Sequence, residues 1–173
     1  SIWTNLSGDY ALAFRKGDAV VGTTDLLTGF GTPVLGPANR ITTTGSLNTA
    51  AQTMNLALLS DDGPSILTPI VREDASFTGL GLASAGGGGS LVFRSGDGAT
   101  IRRSNAGTLV DVAKTGDAAP DTGLAGAAFS RLWEPSQGQG DGAIFRADIT
   151  FTGQTAPMSG IFASRAGALH GIA

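Results

Sequence analysis

Apolar residues in this 173-residue chain fall in short runs, each closed by Gly, Pro, Asn, Asp or Ser. Runs of about four to eight residues bounded by turn formers are the signature of strands. Strands are expected over 1–4, 9–15, 29–35, 40–47, 53–59, 65–71, 77–83, 90–94, 99–103, 108–113, 127–133, 142–149, 159–164 and 168–172. Asp-Gly pairs at Asp62-Gly63, Asp97-Gly98 and Asp141-Gly142 mark hairpins whose tight turns need positive φ. No window carries apolar residues at helical spacing. The pattern predicts an all-β fold.

The same pattern repeats. Sliding Ala75–Arg94 onto Ala127–Arg146, a gapless shift of 52, superposes Ala75, Phe77, Leu80, Ser84, Gly86, Gly88, Phe93 and Arg94 on Ala127, Phe129, Leu132, Ser136, Gly138, Gly140, Phe145 and Arg146. A second mark recurs as well: Phe14-Arg15-Lys16-Gly17-Asp18-Ala19 matches Ala113-Lys114-Thr115-Gly116-Asp117-Ala118. Val71-Arg72-Glu73-Asp74-Ala75 is a degraded copy without the glycine. Each mark precedes a polar stretch and then a phenylalanine, Phe30, Phe77 or Phe129. A period near 50 containing several strands suits a blade of a β-propeller.

Four strands per unit divide the chain into units of about 1–18, 19–74, 75–117 and 118–173, one repeat domain in all. The first unit holds only the equivalent of a blade's last two strands. An open stack cut from a longer array therefore fits better than a self-closed ring, and a four-bladed ring with irregular closure is the alternative.

The string Val112-Ala113-Lys114-Thr115-Gly116-Asp117-Ala118-Ala119-Pro120 resembles the recurrent "VAR-x-GD-x-AP" element of bacterial secreted tandem-repeat proteins. That family is common in planctomycetes and often carries a C-terminal surface-sorting tail. Its later elements are similar to Phe129, Pro135, Gly142-Ala143-Ile144-Phe145-Arg146-Ala147 and Gly160-Ile161-Phe162. Phe30, Pro37, Asn39 and Gly45 follow the same order, and Ser1-Ile2-Trp3 resembles the last element. Only the final copy is close to the pattern; Val20 stands where proline is expected in the first. The resemblance implies propeller-like blades and a secreted or cell-surface protein. It implies no reaction.

Composition sharpens this picture. The chain has 27 Gly and 7 Pro and only 14% charged residues, against roughly 25% in average proteins. Its acids are 12 Asp and 2 Glu, and its bases 9 Arg and 2 Lys. Glu and Lys favour helices and Asp favours caps and turns, so the near absence of the former again points to strands. A net charge of −3 gives no field to steer a polyanion, so neither nucleic acid nor an anionic membrane is expected as partner. There is no cysteine, which removes disulfides and thiolate chemistry. No apolar run reaches about 18 residues, so no membrane insertion is expected.

Candidate chemistry is sparse. Asp9, Asp18, Asp61, Asp62 and Asp97 stand in turns without the Asp spacing of a calcium loop, so no metal is expected and the acids read as backbone caps. Arg15, Arg72 and Lys114 beside the marks are expected to bridge to neighbouring carboxylates rather than to hold an anion in a channel. Phe93-Arg94 and Phe145-Arg146 read as one residue in, one out. The single histidine, His170, has Asp111 and Asp148 as conceivable partners, yet no nucleophile elbow accompanies it. Glu134 beside Trp133 is the acid best suited to sugar chemistry. Gly86-Gly87-Gly88-Gly89 lacks the lysine and helix of a phosphate loop and reads as a link between strands. Thr42-Thr43-Thr44 reads as a solvent-facing strand.

The expectation is thus a non-catalytic extracellular repeat module, a scaffold or binding surface for glycan or another surface protein. It has no catalytic residue, no cofactor, no metal site and no assignable ligand-binding residue. The alternatives are a self-associating structural subunit and a carbohydrate-active propeller enzyme.

Overall fold

A computed structural model describes residues 1–5, 8–35, 41–49, 55–61, 66–74, 78–85, 90–96, 98–105, 108–138 and 142–172. The described residues form strands and turns and contain no helix. The strands group into four antiparallel sheets, each made of strands that follow one another in the sequence.

A hairpin of β1 (Ile2–Thr4) and β2 (Ala11–Phe14) comes first. The first large sheet holds β3 (Leu27–Phe30), β4 (Val34–Leu35), β5 (Ile41–Leu47), β6 (Leu56–Asp61) and β7 (Leu67–Arg72). Both β3 and β4 pair with β5, and the order runs on through β6 to β7. The second sheet is β8 (Ala83–Ala85), β9 (Ser90–Ser95), β10 (Thr100–Asn105) and β11 (Thr108–Lys114), in that order. The last holds β12 (Ala128–Leu132), β13 (Ser136–Gln137), β14 (Ala143–Thr150), β15 (Met158–Arg165) and β16 (Ala168–Gly171). There, β12 and β13 share β14, followed by β15 and β16.

The expected strand over 29–35 is thus two pieces, and that over 127–133 is β12, followed on the same partner strand by the short β13. The cause is the same in both. Pro33 stands just before β4 and Pro135 just before β13; proline has no N–H for the ladder and interrupts it. The strand expected over 77–83 is reduced to Ala83–Ala85 among the described residues. The Asp62-Gly63 turn, Asp97, Asp141, Phe77 and Gly86–Gly89 lie outside the described residues.

Side chains alternate across each strand, so a sheet with a neighbour on both faces must be apolar on both. Ala57 and Leu59 of β6 join Ala13, Phe14, Leu27 and Leu67 in a core between hairpin and first sheet. Leu58, between them in sequence, joins Val71, Leu91 and Phe93 in a core between the first and second sheets. Ile101 and Ala113 of the second sheet pack with Phe129, Phe145 and Phe162 of the last. Three cores therefore separate four successive layers.

That layering corrects one expectation. Thr42 and Thr43 are buried, not solvent-facing. β5 lies inside its sheet, with β3 and β4 on one side and β6 on the other. The Thr43 hydroxyl donates to the Gly31 carbonyl at 3.1 Å, and the Thr44 hydroxyl donates to the Gly81 carbonyl of the next layer at 3.3 Å.

The Gly-Asp marks join one layer to the next. After β2, the Asp18 carboxylate accepts from the Arg15 amide at 2.8 Å, and the Gly17 amide donates to the Leu27 carbonyl at 2.7 Å. The Leu27 amide returns a bond to the Asp18 carbonyl at 2.9 Å. After β11 the pattern recurs: Lys114 amide to Asp117 carboxylate 2.8 Å, Gly116 amide to Phe129 carbonyl 2.8 Å, Phe129 amide to Asp117 carbonyl 3.0 Å. Gly17 and Gly116 share a φ of +92° with open space where a side chain would stand. Glycine is needed there for its backbone and not for room.

The degraded copy works differently. Glu73 occupies the glycine position, and its carboxylate accepts from the amides of Leu56 (3.0 Å) and Gly79. A side chain replaces the backbone geometry that glycine gives elsewhere.

Candidate functional site

Each acid singled out in the sequence has a structural partner where its side chain is described. The Asp18 side chain is only 2% exposed and pairs with Arg15 Nε at 3.2 Å. Arg72 pairs with Asp25, and Lys114 with Asp111 at 2.7 Å. The basic residues beside the marks do bridge to carboxylates, although Lys114 uses Asp111 and leaves Asp117 to cap its amide. Asp111 also receives Arg102 Nε at 2.8 Å. Burial raises its pKa, but the hydrogen bond from Lys114 and the charges of Arg102 and Lys114 outweigh this and lower it overall. The Asp61 side chain, Asp62 and Asp97 lie outside the described residues.

Glu134 joins two layers. Its Oε1 lies 2.6 Å from Arg94 Nη2, while Arg94 Nη1 donates to the Leu132 carbonyl at 3.1 Å. Arg94 is the outward residue of the Phe93-Arg94 pair, as the alternation requires, with Phe93 fully buried. Glu134 thereby anchors the second sheet to the last. Gly81 fits against this contact: a Cβ there would lie 2.9 Å from Glu134 Oε2 and 3.0 Å from the Arg94 carbonyl oxygen. Gly81→Ala is expected to cost about 1–3 kcal/mol of stability through overpacking, read as a fall in urea midpoint with an unchanged slope.

His170 pairs with neither acid named for it. Its Nδ1 lies 3.3 Å from Asp121 Oδ2, which also accepts from the Gly171 amide at 3.3 Å. His170 lies in β16, and Asp121, 49 residues upstream in a turn after β11, takes a positive φ of 58°; no local sequence signal joins the two. Both side chains are more than half exposed. Among the described residues no group of three or more His, Asp or Glu is placed to hold a metal ion.

The densest polar cluster lies on the outer face of the last sheet. The guanidinium carbons of Arg131 and Arg146 sit 4.0 and 4.6 Å from the Trp133 ring centroid, cation–π contacts that occupy the indole. The Asp148 carboxylate accepts from the Ser159 hydroxyl at 2.6 Å. Arg131 pairs with Asp148 in the ladder, and Arg146 with Ile161. Residues directly opposite share a face, so these side chains stand together. Arg131 lies two residues before Trp133; the two-residue strand period was the signal that could have marked it.

The Asp148 pKa is lowered, first by the Ser159 hydrogen bond, against some desolvation, and further by Trp133 and the charges of Arg146 and Arg131. A depressed carboxylate contributes stability above its unfolded value, lost as pH falls through the folded one. The contribution is therefore present above the usual 3.8 and disappears at more acidic pH. Asp148→Asn is expected to lower stability at neutral pH and to leave a smaller difference from wild type near pH 2, measured by urea midpoints across the range.

A cleft between the second and last sheets, lined by Arg103, Asp111, Val112, Ser164, Ala168 and Leu169, encloses about 50 Å³. Small-molecule sites measure roughly 300–1,000 Å³, so this space suits water molecules and not a substrate. The site geometry thus offers ion pairs, an arginine–tryptophan surface and one hydroxyl, that of Ser159, which donates to Asp148 and accepts from Arg146. No family model, curated protein or solved structure matches the chain.

Proposed function

We propose that the chain is a non-catalytic repeat module of an exported, cell-surface protein, its layers arranged as propeller-like blades, serving as scaffold or binding surface for glycan or a surface protein. The observation that carries this reading is the use made of the acids and bases: Asp18, Asp117, Glu73, Glu134 and Arg94 all hold backbone or adjacent layers together. Charged groups committed to structure are not poised for proton transfer. The secreted setting comes from the resemblance of the Gly-Asp marks.

The competing carbohydrate-active reading would use Glu134, whose carboxylate is engaged by Arg94 at 2.6 Å. The test is a panel of chromogenic glycosides alongside a glycan array. Binding without turnover supports the module. Turnover abolished by Glu134→Gln, in a variant with unchanged melting temperature, overturns it.

A further inference from the structure

Two polar side chains stand where the core pattern calls for apolar ones. On β10, Arg103 lies two residues beyond Ile101, and on β15, Ser164 lies two residues beyond Phe162. The two-residue strand period keeps each pair on one face. Ile101 and Phe162 belong to the core between the second and last sheets. Arg103 and Ser164 therefore continue that core toward its edge, and both line the cleft of about 50 Å³ found there. Their ladder partners line it too, Val110 opposite Arg103 and Leu169 opposite Ser164. One wall comes from each of two adjoining layers, so the cleft is built entirely by the sheets described above.

The chemistry of this lining is one-sided. A guanidinium has five N–H donors and no acceptor. Ser164 is 7% exposed, and its hydroxyl makes no hydrogen bond among the described residues; a hydroxyl rotates to suit whatever partner it meets. Asp111 is the one acid of the lining, and its carboxylate is taken by Arg102 Nε at 2.8 Å and Lys114 Nζ at 2.7 Å. Three cations, Arg102, Arg103 and Lys114, thus face one acid, a surplus of two positive charges in a chain whose net charge is −3. The rest of the lining, Val112 and Leu169 among it, is apolar, and low local polarity strengthens any charge interaction inside.

We infer that this cleft binds a small inorganic anion, chloride or another halide, between the Arg103 guanidinium and the Ser164 hydroxyl, and that the bound ion fastens the second sheet to the last. Volume decides the class of ligand. The cleft takes particles of water's size and excludes organic anions, whose sites run to roughly 300 Å³ and more. Charge decides between the ion and water: an anion accepts from both donors in charge-assisted bonds and offsets the surplus that water leaves in place.

The test needs neither a glycan nor a glycoside, so its outcome is separate from that of the module reading. The melting temperature of the whole chain is followed at constant ionic strength while sodium chloride replaces sodium gluconate, whose anion is too large for the cleft. Saturating chloride should raise the folding equilibrium constant about fivefold, read as a rise of roughly 2–4 °C, whereas screening acts equally in both salts. Ser164→Ala, which removes no hydrogen bond among the described residues, should abolish most of the chloride-specific rise, and Arg103→Gln all of it. Arg131→Ala, on the outer face of the last sheet, should keep the rise in full. Crystals grown in sodium bromide should show an anomalous peak within about 3.5 Å of the Arg103 guanidinium and Ser164 Oγ. A wild type stabilised equally by chloride and gluconate overturns the proposal. So does a chloride-specific rise that survives both cleft substitutions, or bromide crystals with water density and no anomalous signal in the cleft.

Discussion

Replacing Phe129 with alanine is expected to lower the unfolding free energy by about 3–5 kcal/mol. Phe129 is 2% exposed and sits edge-on to Phe162, with centroids 4.8 Å apart at 89°, and to Phe145 at 6.0 Å and 65°. Phe145 and Phe162 stack at 6.1 Å. One residue therefore holds together a trio from β12, β14 and β15, and truncation leaves a cavity that two rings on rigid strands cannot close. Edge-to-face pairs add about 0.5–1.5 kcal/mol beyond area burial. Domains are stable by only about 5–15 kcal/mol, so the melting temperature should fall markedly. A cost below about 1 kcal/mol would mean that the last sheet does not pack on the second as described.

The second large effect is expected at Asp18. Asp18→Ala removes the acceptor for the Arg15 amide and the partner of its guanidinium, beneath a nearly closed surface. Leaving a buried donor unpaired costs about 1–3 kcal/mol. Asp117→Ala removes the corresponding bond to Lys114 at an exposed site, where water replaces the lost acceptor, so its cost should sit at or below the lower end. Chemical denaturation of both variants gives the ranking. Equal effects would show that burial of the mark is irrelevant.

Much of the architecture was legible in the sequence, and for reasons that can be named. Period-two alternation and turn residues located the strands, since both follow from local geometry. The Gly-Asp marks were legible because a positive φ requires glycine and a free amide three residues earlier requires a short acceptor. What the linear pattern missed depends on neighbours distant in sequence. Thr42–Thr44 looked polar and exposed, but a layer on each face buries Thr42 and Thr43 and half-buries Thr44. Pro33 and Pro135 were visible, yet that the short strands on either side of each proline share one partner needed the ladder. Glu134 drew attention beside Trp133, and only the stacking of layers shows its carboxylate turned to Arg94. His170 found Asp121 through a loop that strand periodicity does not describe.

Two segments 99 residues apart, around Gly17 and Gly116, form the same clasp between successive layers. Amide hydrogen exchange tests it most directly on the unmodified protein. Both glycines lie in turns, where backbone amides ordinarily exchange fast. Gly17 and Gly116 are expected to be protected alongside their partners Leu27 and Phe129, because each donates to that partner's carbonyl. Rapid, unprotected exchange at Gly17 and Gly116 with Leu27 and Phe129 protected would contradict it.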